Sequence, residues 1–304
     1  MLSLTFLGTS AARPTVERGV SSIAVQREGE TLLFDCGEGT QRQMMRFGVG
    51  FTLSEIFFTH FHADHFLGIT GLIRTLGLQG REEPLTLYGP RGARRILGGL
   101  AEVGRERTPF PIEIRDLAAG AVLSRDEYDI EAIGVEHGGV ALGYAIREHE
   151  RLGRFDPDKA AELGVPEGPL WGRLHKGETV GLADGRRIGP EDLVGPPRPG
   201  RLVVISGDTR PCEQVVAAAT GADLLVHEAT FSAEEKDRAV ETHHATAVEA
   251  AQVALAARAK KLALTHLSAR FSAGSNVLLD EARAVFAETI VAKDGLVLDV
   301  PYAE

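Results

Sequence analysis

Short apolar, strand-like runs alternate with stretches of helical spacing along most of the chain, and this alternation limits its fold class. The first half opens with strand-like runs joined by tight turns, and from residue 201 onward strands and helices follow one another regularly. Helices in such an order cover the faces of mixed sheets. With 304 residues and 43% hydrophobic content, the chain can bury a large core. The pattern therefore predicts an α/β (α+β) protein in which two mixed halves pack as layers.

The alternation stops between about residues 151 and 200. This segment is dense in Gly and Pro, contains the only tryptophan, Trp171, and shows little core-like periodicity. From Arg147 to Arg201 there are ten Lys and Arg residues against ten Asp and Glu, whereas the remainder has 23 against 33. The segment is thus the least acidic part of a chain whose formal net charge is −10. A solvated surface loop and a functional excursion both fit this composition.

Composition also limits the class of function and the compartment. The net charge of −10 argues against nucleic-acid binding over the whole surface, because phosphate contacts need clustered Lys and Arg. Cys36 and Cys212 form no C-x-x-C pair, so neither a disulfide framework nor a thiolate zinc site is expected. The first residues lack a basic leader, and no run of about 18 apolar residues occurs. We therefore expect a cytoplasmic protein without a membrane segment.

The sequence FTHFHADH, residues 58–65, places three histidines and one aspartate directly after the apolar run EIFF. His60 and His62 are two positions apart and point to the same side of an extended chain. Asp64 and His65 follow in the turn and can face a second point. Neutral imidazoles and carboxylates are the ligands expected for zinc, or for manganese where the oxygen content is higher. The motif therefore predicts a centre that holds two divalent metal ions.

Three further metal-capable side chains follow strand-like runs elsewhere in the chain. His137 follows DIEAIGVE, Asp208 follows RLVVISG, and His266 follows KLALT. Each residue alone fits a cap or a turn as well as it fits a metal ligand. Because all three occupy the same place relative to a strand, we expect them to complete the metal centre.

THFHADH resembles the H-x-H-x-D-H signature of the metallo-β-lactamase fold hydrolases. Other stretches, among them FLGTSAARPT, LLFDCGEGTQRQ, GDTRP, HEATF, HHAT and THLSARF, are similar, in order and over essentially the whole chain, to the ribonuclease Z family. This resemblance implies a single domain over residues 1–304, a four-layer αββα sandwich of the metallo-β-lactamase type with a flexible exosite arm inserted at about 151–200. It also implies hydrolytic removal of the 3′ trailer from precursor tRNA, with a 3′-hydroxyl left on the tRNA, by an enzyme that is typically a homodimer.

The resemblance divides the seven candidate ligands between two ions, one held by His60, His62 and His137, the other by Asp64, His65 and His266, with Asp208 as the bridge. Zinc is the expected metal, and Asp64 is the candidate base. His244 is the candidate acid that protonates the leaving 3′-oxygen, and Glu228 would orient it and raise its pKa. The alternative for His243 and His244 is capping of the next helix, an unusual position for histidine. Asp35 is a candidate for supporting the ligands.

Basic residues of the arm are expected to contact the phosphates of the folded tRNA body. The candidates are Arg154, Arg173, Lys176, Arg186 and Arg187. The main alternative is a small-molecule phosphodiesterase of the same fold, and a thioester hydrolase is another; both would use the same seven ligands without needing a long arm. A diiron oxidoreductase would need a flavodoxin-like domain that this chain has no length for. A non-catalytic RNA-binding scaffold would not need a complete ligand set.

Overall fold

The computed structural model describes residues 1–103, 108–272 and 274–303. Its strands are numbered along the chain: β1 (Leu2–Gly8), β2 (Ser22–Arg27), β3 (Glu30–Phe34), β4 (Leu53–Phe57), β5 (Leu85–Pro90), β6 (Ile112–Leu117), β7 (Val122–Ser124), β8 (Tyr128–Gly134), β9 (Leu142–Glu148), β10 (Val180–Gly181), β11 (Arg187–Ile188), β12 (Leu202–Ile205), β13 (Leu224–Glu228), β14 (Leu262–Thr265), β15 (Thr289–Val291) and β16 (Val297–Asp299).

The helices are numbered in the same way: α1 (Thr40–Phe47), α2 (Ala63–Phe66), α3 (Ile69–Leu78), α4 (Ala93–Ala101), α5 (Pro157–Glu162), α6 (Pro169–His175), α7 (Glu213–Ala218), α8 (Lys236–Glu241), α9 (Ala247–Ala256) and α10 (Asn276–Arg283). The sequence FLGITGLIRTLGL, residues 66–78, has helical spacing and forms the end of α2 and α3, whereas the helical spacing of NVLLDEARAVFAE, residues 276–288, predicts a longer helix than α10, which ends at Arg283. The sequence GARRILGGLAEVG, residues 92–104, also predicts a helix, and its last position lies outside the described residues. No described helix is both long and apolar enough to cross a membrane.

The described strands form two large sheets and a two-stranded ribbon. The first large sheet has the order β16-β1-β2-β3-β4-β5-β6, and the second has the order β15-β14-β13-β12-β9-β8-β7. In the first sheet, β3 to β6 run parallel to one another. In the second, β12 to β15 are parallel and β9 pairs antiparallel with β12. Parallel strands in each half bring several strand ends, and the residues that follow them, to one edge of the sheet.

The core has three parts, which define four layers. Apolar residues of the two sheets pack against each other, with the ring centroid of Tyr144 in the second sheet 5.5 and 5.4 Å from those of Phe34 and Phe57 in the first. A second cluster packs α1, α3 and α4 onto the first sheet, and a third packs α7, α9 and α10 onto the second. The four-layer αββα sandwich is therefore confirmed. Tyr144 of the second sheet donates a hydrogen bond to the carbonyl of Phe58, 2.7 Å away, at the start of the histidine-rich motif.

The chain divides into two compact units. The main unit comprises Met1–Arg147 and Leu202–Pro301, and the arm unit comprises Glu148–Arg201 with the C-terminal residues from Tyr302. At the base of the arm unit, Arg201 and Glu148 form a fully buried, two-point ion pair with both nitrogen–oxygen distances at 2.7 Å.

The arm unit has a small hydrophobic cluster of its own, which the low periodicity of the sequence did not predict. Its buried members are Ala160, Val165, Leu174, Val180, Ile188 and Leu193. Trp171 packs against this cluster and donates its indole N–H to the carbonyl of Val165 at 3.2 Å. Asp156 caps α5 by accepting a hydrogen bond from the backbone N–H of Lys159, and Pro157 follows as the first helical residue. Because α5 and α6 are only six and seven residues long, their buried positions produce no extended periodic pattern in the sequence.

Candidate metal centre

The seven candidate ligands come together in the main unit, each beyond the end of a strand. The motif at 60–65 runs from the end of β4 into α2, while His137 follows β8, Asp208 follows β12, and His266 follows β14. Asp208 is the central residue: its Oδ2 lies 3.2 Å from Nε2 of His266 and 3.3 Å from Nε2 of His65. The same oxygen lies 3.7 and 3.8 Å from Nε2 of His60 and His137.

Two groups of side chains lie on either side of this oxygen. In one, Nδ1 of His62 is 3.0 Å from Nε2 of both His60 and His137. In the other, Oδ2 of Asp64 is 3.5 Å from Nε2 of His65 and 3.3 Å from Nε2 of His266. The donor atoms in each group lie within 4.8 Å of one another. These are the same two groups that the sequence resemblance assigns to separate ions.

The outer nitrogens of the ligand histidines are fixed by acceptors, which orients the inner nitrogens toward the centre. His65 donates its Nδ1–H to Asp35 at 2.7 Å. Thr59 donates its hydroxyl to the same carboxylate at 2.9 Å, so its oxygen accepts from Nδ1 of His60 at 3.0 Å. Asp35 thus supports two ligands, one directly and one through Thr59. An imidazole whose far N–H is held in this way presents the lone pair of its other nitrogen to a metal.

The other two supported histidines follow the same rule. His137 donates its Nδ1–H to the backbone carbonyl of His243 at 2.9 Å. Thr230 donates to Glu228 at 2.7 Å, and its oxygen accepts from Nδ1 of His266 at 3.0 Å. Four histidine nitrogens with available lone pairs therefore face two carboxylates. This donor set of nitrogen and oxygen fits zinc, and it also fits manganese.

The charge of the centre favours a cation. Burial lowers the pKa of His65, but the carboxylates of Asp208 and Asp35 outweigh it and hold that pKa well above its ordinary value. Burial raises the pKa of Asp208, yet the neighbouring His266 and His65 hold it well below the usual range. The aspartate is therefore an ionised, buried carboxylate. A divalent ion replaces the proton that this negative charge otherwise attracts.

Backbone strain is concentrated at the centre. Among the described residues, six that are not glycine have φ angles in the left-handed region, and four of these contact the site: Ala12, Asp35, His243 and His266. At Ala12 the strained backbone lets its N–H donate to Oδ2 of Asp64 at 2.7 Å. Such conformations cost about 1–3 kcal/mol each and persist where the surrounding structure fixes them.

His244 and Glu228 form a hydrogen-bonded pair beside the ligands. Nδ1 of His244 donates to Oε1 of Glu228 at 2.9 Å and lies 3.9 Å from Oδ2 of Asp208. Burial lowers the pKa of His244, but the charge and hydrogen bond of Glu228 raise it to about 9. The helix that follows is capped by Thr246, not by a histidine, so the capping alternative does not apply to His243 or His244.

Glu228 is buried with all its hydrogen-bonding capacity used. Its carboxylate also accepts from the backbone N–H groups of Thr209 and Ala245, at 2.7 and 3.0 Å, and from the hydroxyl of Thr230. Burial raises its pKa, but the charge of His244 outweighs this, so the pKa is lowered. The carboxylate therefore stays ionised and holds the imidazole in one orientation.

A cavity of about 470 Å³ opens onto these groups. Its lining includes the candidate ligands Asp64, Asp208 and His266 together with His244. Three arginines also line it, Arg13, Arg238 and Arg270, and the guanidinium carbons of the last two each lie 5.7 Å from the ring centroid of Phe231. Guanidinium groups and an aromatic ring suit phosphates and bases, respectively. The sequence did not single out these arginines, because nothing in the local pattern of Arg13, Arg238 or Arg270 shows that the fold brings them to one cavity.

Comparison with known proteins agrees with this geometry. Residues 15–149 match the metallo-beta-lactamase superfamily. Ribonuclease Z from Gemmatimonas aurantiaca is 58% identical over 305 residues, covering 100% of this chain and 97% of that protein. Ribonuclease Z from Myxococcus xanthus is 55% identical over 302 residues, covering 99% and 98% of the two chains.

The chain belongs to the ribonuclease Z family.

A solved structure of the same kind supports the assignment. The crystal structure of human tRNase Z, short form, matches with a TM-score of 0.72 and 27% identity, covering 98% of this chain and 99% of that one. The resemblance that the sequence motifs indicated is thereby confirmed at the level of the family and of the metallo-β-lactamase fold.

The five basic residues expected to contact tRNA all lie on the surface of the arm unit. Arg154, Arg173, Lys176, Arg186 and Arg187 are exposed. Two of them already have carboxylate partners, since Arg173 pairs with Glu178 and Arg186 pairs with Asp184, each at 2.7 Å. Within the described part of the chain the other three form no ion pair, which leaves their charges available to a ligand. His175 of the same unit is half-buried and hydrogen-bonds through Nε2 to the carbonyl of Gly153 at 2.9 Å.

Proposed function

We propose that this chain is a metal-dependent endoribonuclease that hydrolyses the phosphodiester between tRNA and its 3′ trailer, leaving a 3′-hydroxyl on the tRNA. One observation carries the proposal: a chain 58% identical over its full length to a ribonuclease Z holds six nitrogen and oxygen donor side chains around the carboxylate of Asp208, beside a charged histidine–glutamate pair. The cavity arginines supply the positive charge that a phosphodiester substrate requires.

Two divalent ions, zinc by preference, would be held by the seven ligands. His60, His62 and His137 would bind one ion, Asp64, His65 and His266 the other, and Asp208 both. When bound, such a pair lowers the pKa of water, orients the phosphodiester and neutralises charge on the attacking and leaving oxygens. Asp35 and Thr59 would keep the imidazoles of His65 and His60 oriented toward the metal positions, so that these two ligands need little rearrangement when metal binds.

Two protein groups would move the protons. Burial opposes ionisation of Asp64, but hydrogen bonds with His266 and His65 hold its pKa well below the ordinary value, so its carboxylate is available as an acceptor. His244 is protonated at neutral pH and gives one N–H to Glu228, which leaves the Nε2 proton for the departing 3′-oxygen. An RNA leaving group needs that proton because an alkoxide is a poor leaving group.

The arm would hold the body of the substrate. Three exposed cations without ion-pair partners in the described chain, Arg154, Lys176 and Arg187, are the strongest candidates for phosphate contacts, and Arg173 and Arg186 would add to them. Contacts to phosphate fix orientation without reading sequence, which suits substrates that share a shape but differ in sequence.

We further propose that residues 1–304 form one metallo-β-lactamase domain with the arm as its exosite, and that the protein acts as a cytoplasmic homodimer. The dimer is proposed from the family resemblance alone. Cys36 and Cys212 are free and buried, which agrees with a reducing compartment.

The deciding experiment uses a precursor tRNA labelled at both ends and the metal-loaded protein. Mapping of the two products should give a mature tRNA ending in a 3′-hydroxyl and a trailer beginning with a 5′-phosphate. Cleavage of a nitrophenyl phosphodiester without any cleavage of precursor tRNA would instead show a small-molecule phosphodiesterase.

A further inference from the structure

The catalytic histidine sits on a segment without regular structure. His244 lies between α8 and α9, so the direction of its imidazole depends on how the surrounding peptide groups are held. The backbone N–H of His244 donates to the carbonyl of Ala239 at 2.8 Å. The carbonyl of the preceding residue, His243, accepts from Nδ1 of His137 at 2.9 Å. The remaining peptide oxygen, that of His244 itself, accepts a hydrogen bond from Arg210.

Arg210 is fixed at both ends. Its guanidinium donates through Nη1 to Oε2 of Glu249 at 2.9 Å and through Nη2 to the other oxygen of the same carboxylate. Two parallel hydrogen bonds between planar groups give a defined orientation that a single hydrogen bond cannot give. Its backbone N–H donates to the carbonyl of Glu136 at 2.8 Å, and the N–H of Glu136 donates to Thr209 at 3.0 Å.

Glu249 connects this pair to helix α9. Its Oε2 accepts from the backbone N–H and the hydroxyl of Thr246, both at 3.0 Å, while the Thr246 hydroxyl accepts from the N–H of Glu249 at 3.2 Å. This is a capping box, which fixes the first turn of the helix. The sequence T-x-x-E indicates the capping box, but nothing in the sequence shows that an arginine 39 residues earlier completes it.

Arg210 therefore lies where three loops meet: its backbone N–H joins two of them through Glu136, and its side chain, paired with Glu249, holds the third at the carbonyl of His244. The three loops carry His137, Asp208 and His244, two metal ligands and the proposed acid. Arg210 does not line the cavity, and its side chain is 17% exposed, so it has no direct route to substrate. Its effect on the reaction must pass through the residues that it holds.

We propose that Arg210 and Glu249 are positioning residues that aim the imidazole of His244 at the leaving oxygen, by holding the His244 carbonyl against the first turn of α9. The inference rests on the proposed function, since it assumes that His244 acts as an acid. Two properties of the site then depend on different residues. Metal binding depends on the seven proposed ligands, whereas the orientation of the His244 imidazole depends on Arg210 and Glu249.

The test compares Arg210→Ala and Arg210→Lys with wild type on two substrates, precursor tRNA and bis(p-nitrophenyl) phosphate. Small misplacements of a reacting group can cost about 10²-fold in rate. We therefore expect Arg210→Ala to lower kcat on precursor tRNA by about 10²-fold with little change in KM. Hydrolysis of the nitrophenyl phosphodiester should change little, because its leaving group needs no proton. Metal content should also change little, because Arg210 is not one of the proposed ligands. Arg210→Lys keeps the charge but cannot form the paired hydrogen bonds, and should give an intermediate loss of activity.

A double variant gives the sharper result. If Arg210 acts through His244, Arg210→Ala should cause almost no further loss of activity in a His244→Ala background. A matched control is Arg125→Ala, which removes an arginine that pairs with Glu55 at 2.6 Å but does not contact the loops of the centre. It should leave the ratio of the two activities unchanged.

Three outcomes would overturn the inference: equal losses of activity on both substrates in Arg210→Ala, a further large loss in the double variant, or full tRNA processing by Arg210→Ala. If Arg210→Ala fails to fold, Arg210→Lys and Glu249→Gln carry the same comparison. Failure of wild type to cleave precursor tRNA would instead refute the proposed function.

Discussion

At the scale of single residues, one carboxylate oxygen lies close to both groups of candidate ligands. Oδ2 of Asp208 lies within 3.8 Å of Nε2 in four ligand histidines, two from each group. We expect Asp208→Ala to lower metal occupancy and abolish hydrolysis, while the fold survives because the three-part core does not depend on the site. Metal analysis, circular dichroism and a cleavage assay on one sample would check this. Normal metal content with full activity would exclude Asp208 as a bridge.

Asp35 acts on the centre without being one of its seven proposed ligands. It accepts from His65 directly and supports His60 through Thr59, so Asp35→Asn removes the charge that favours both imidazoles as ligands. Removal of such a partner lowers metal affinity by about 10–100-fold, which competition with a chelator would measure. Asp223→Asn is a matched control, since Asp223 accepts from the backbone N–H of Leu202 at 2.8 Å and has no ligand nearby. Similar effects of the two substitutions would mean a general loss of stability.

His244 is expected to matter only where a proton must be delivered. His244→Ala should slow cleavage of precursor tRNA by roughly 10² to 10⁴, the usual span for a general acid. It should slow hydrolysis of a nitrophenyl phosphodiester much less and leave metal content unchanged. Steady-state kinetics on both substrates tests this directly. Equal rate reductions on the two would rule out the acid assignment while leaving the metal centre intact.

At the scale of elements, the candidate ligands stand out in the sequence because they follow strand ends, which are easy to recognise. An apolar run that stops at His or Asp, as in KLALTH before His266, marks both the strand and the side chain that emerges from it. The supporting contacts were harder to predict. Thr59 and Thr230 resemble any buried threonine in sequence, and Arg210 reaches Glu249 only because separate loops meet in the fold. Such contacts depend on tertiary distances that periodicity does not contain.

The buried residues of the arm unit were also not predictable from sequence periodicity. Its cluster is built from two short helices and a ribbon, and Leu174 is fully buried within it. Leu174→Ala should lower the free energy of unfolding of the arm unit by about 2–5 kcal/mol, which is a large loss for so small a hydrophobic cluster. We expect faster hydrogen exchange within the arm unit and unchanged metal content in the main unit. Leu152→Ala, at a position 50% exposed in the same unit, should change neither quantity. Equal exchange in the two variants would show that the cluster does not stabilise the arm.

At the scale of the whole molecule, the proposed catalytic residues and the proposed tRNA-binding residues belong to different units. All seven proposed ligands, His244 and Glu228 belong to the main unit, whereas the five candidate tRNA-binding residues belong to the arm unit. The net charge of −10 on the whole chain makes a local cationic surface the more important for an RNA substrate. Under the proposed function, exposed arm residues such as Arg154, Lys176 and Arg187 would provide that local positive charge, while the rest of the chain stays acidic.

This separation predicts that tRNA binding can be weakened while phosphodiester hydrolysis is retained. Replacing Arg154, Lys176 and Arg187 together by Ala should raise KM for precursor tRNA and lower the salt dependence of binding, by close to one unit of log–log slope for each phosphate that is no longer neutralised. Hydrolysis of a nitrophenyl phosphodiester should not change. Arg173→Ala with Arg186→Ala is the matched control, because these two charges are already partly neutralised by Glu178 and Asp184 and their removal should weaken binding less.

Replacing residues 156–196 by a Gly-Ser linker extends the same test to the whole arm. tRNA binding should weaken severely, and small-substrate hydrolysis should persist because every proposed ligand lies outside the deleted span. Undiminished tRNA processing would show that the arm is not the attachment site. Absence of small-substrate activity in a folded, metal-loaded variant would show instead that the arm helps to build the active site, which would contradict the division of labour between the two units.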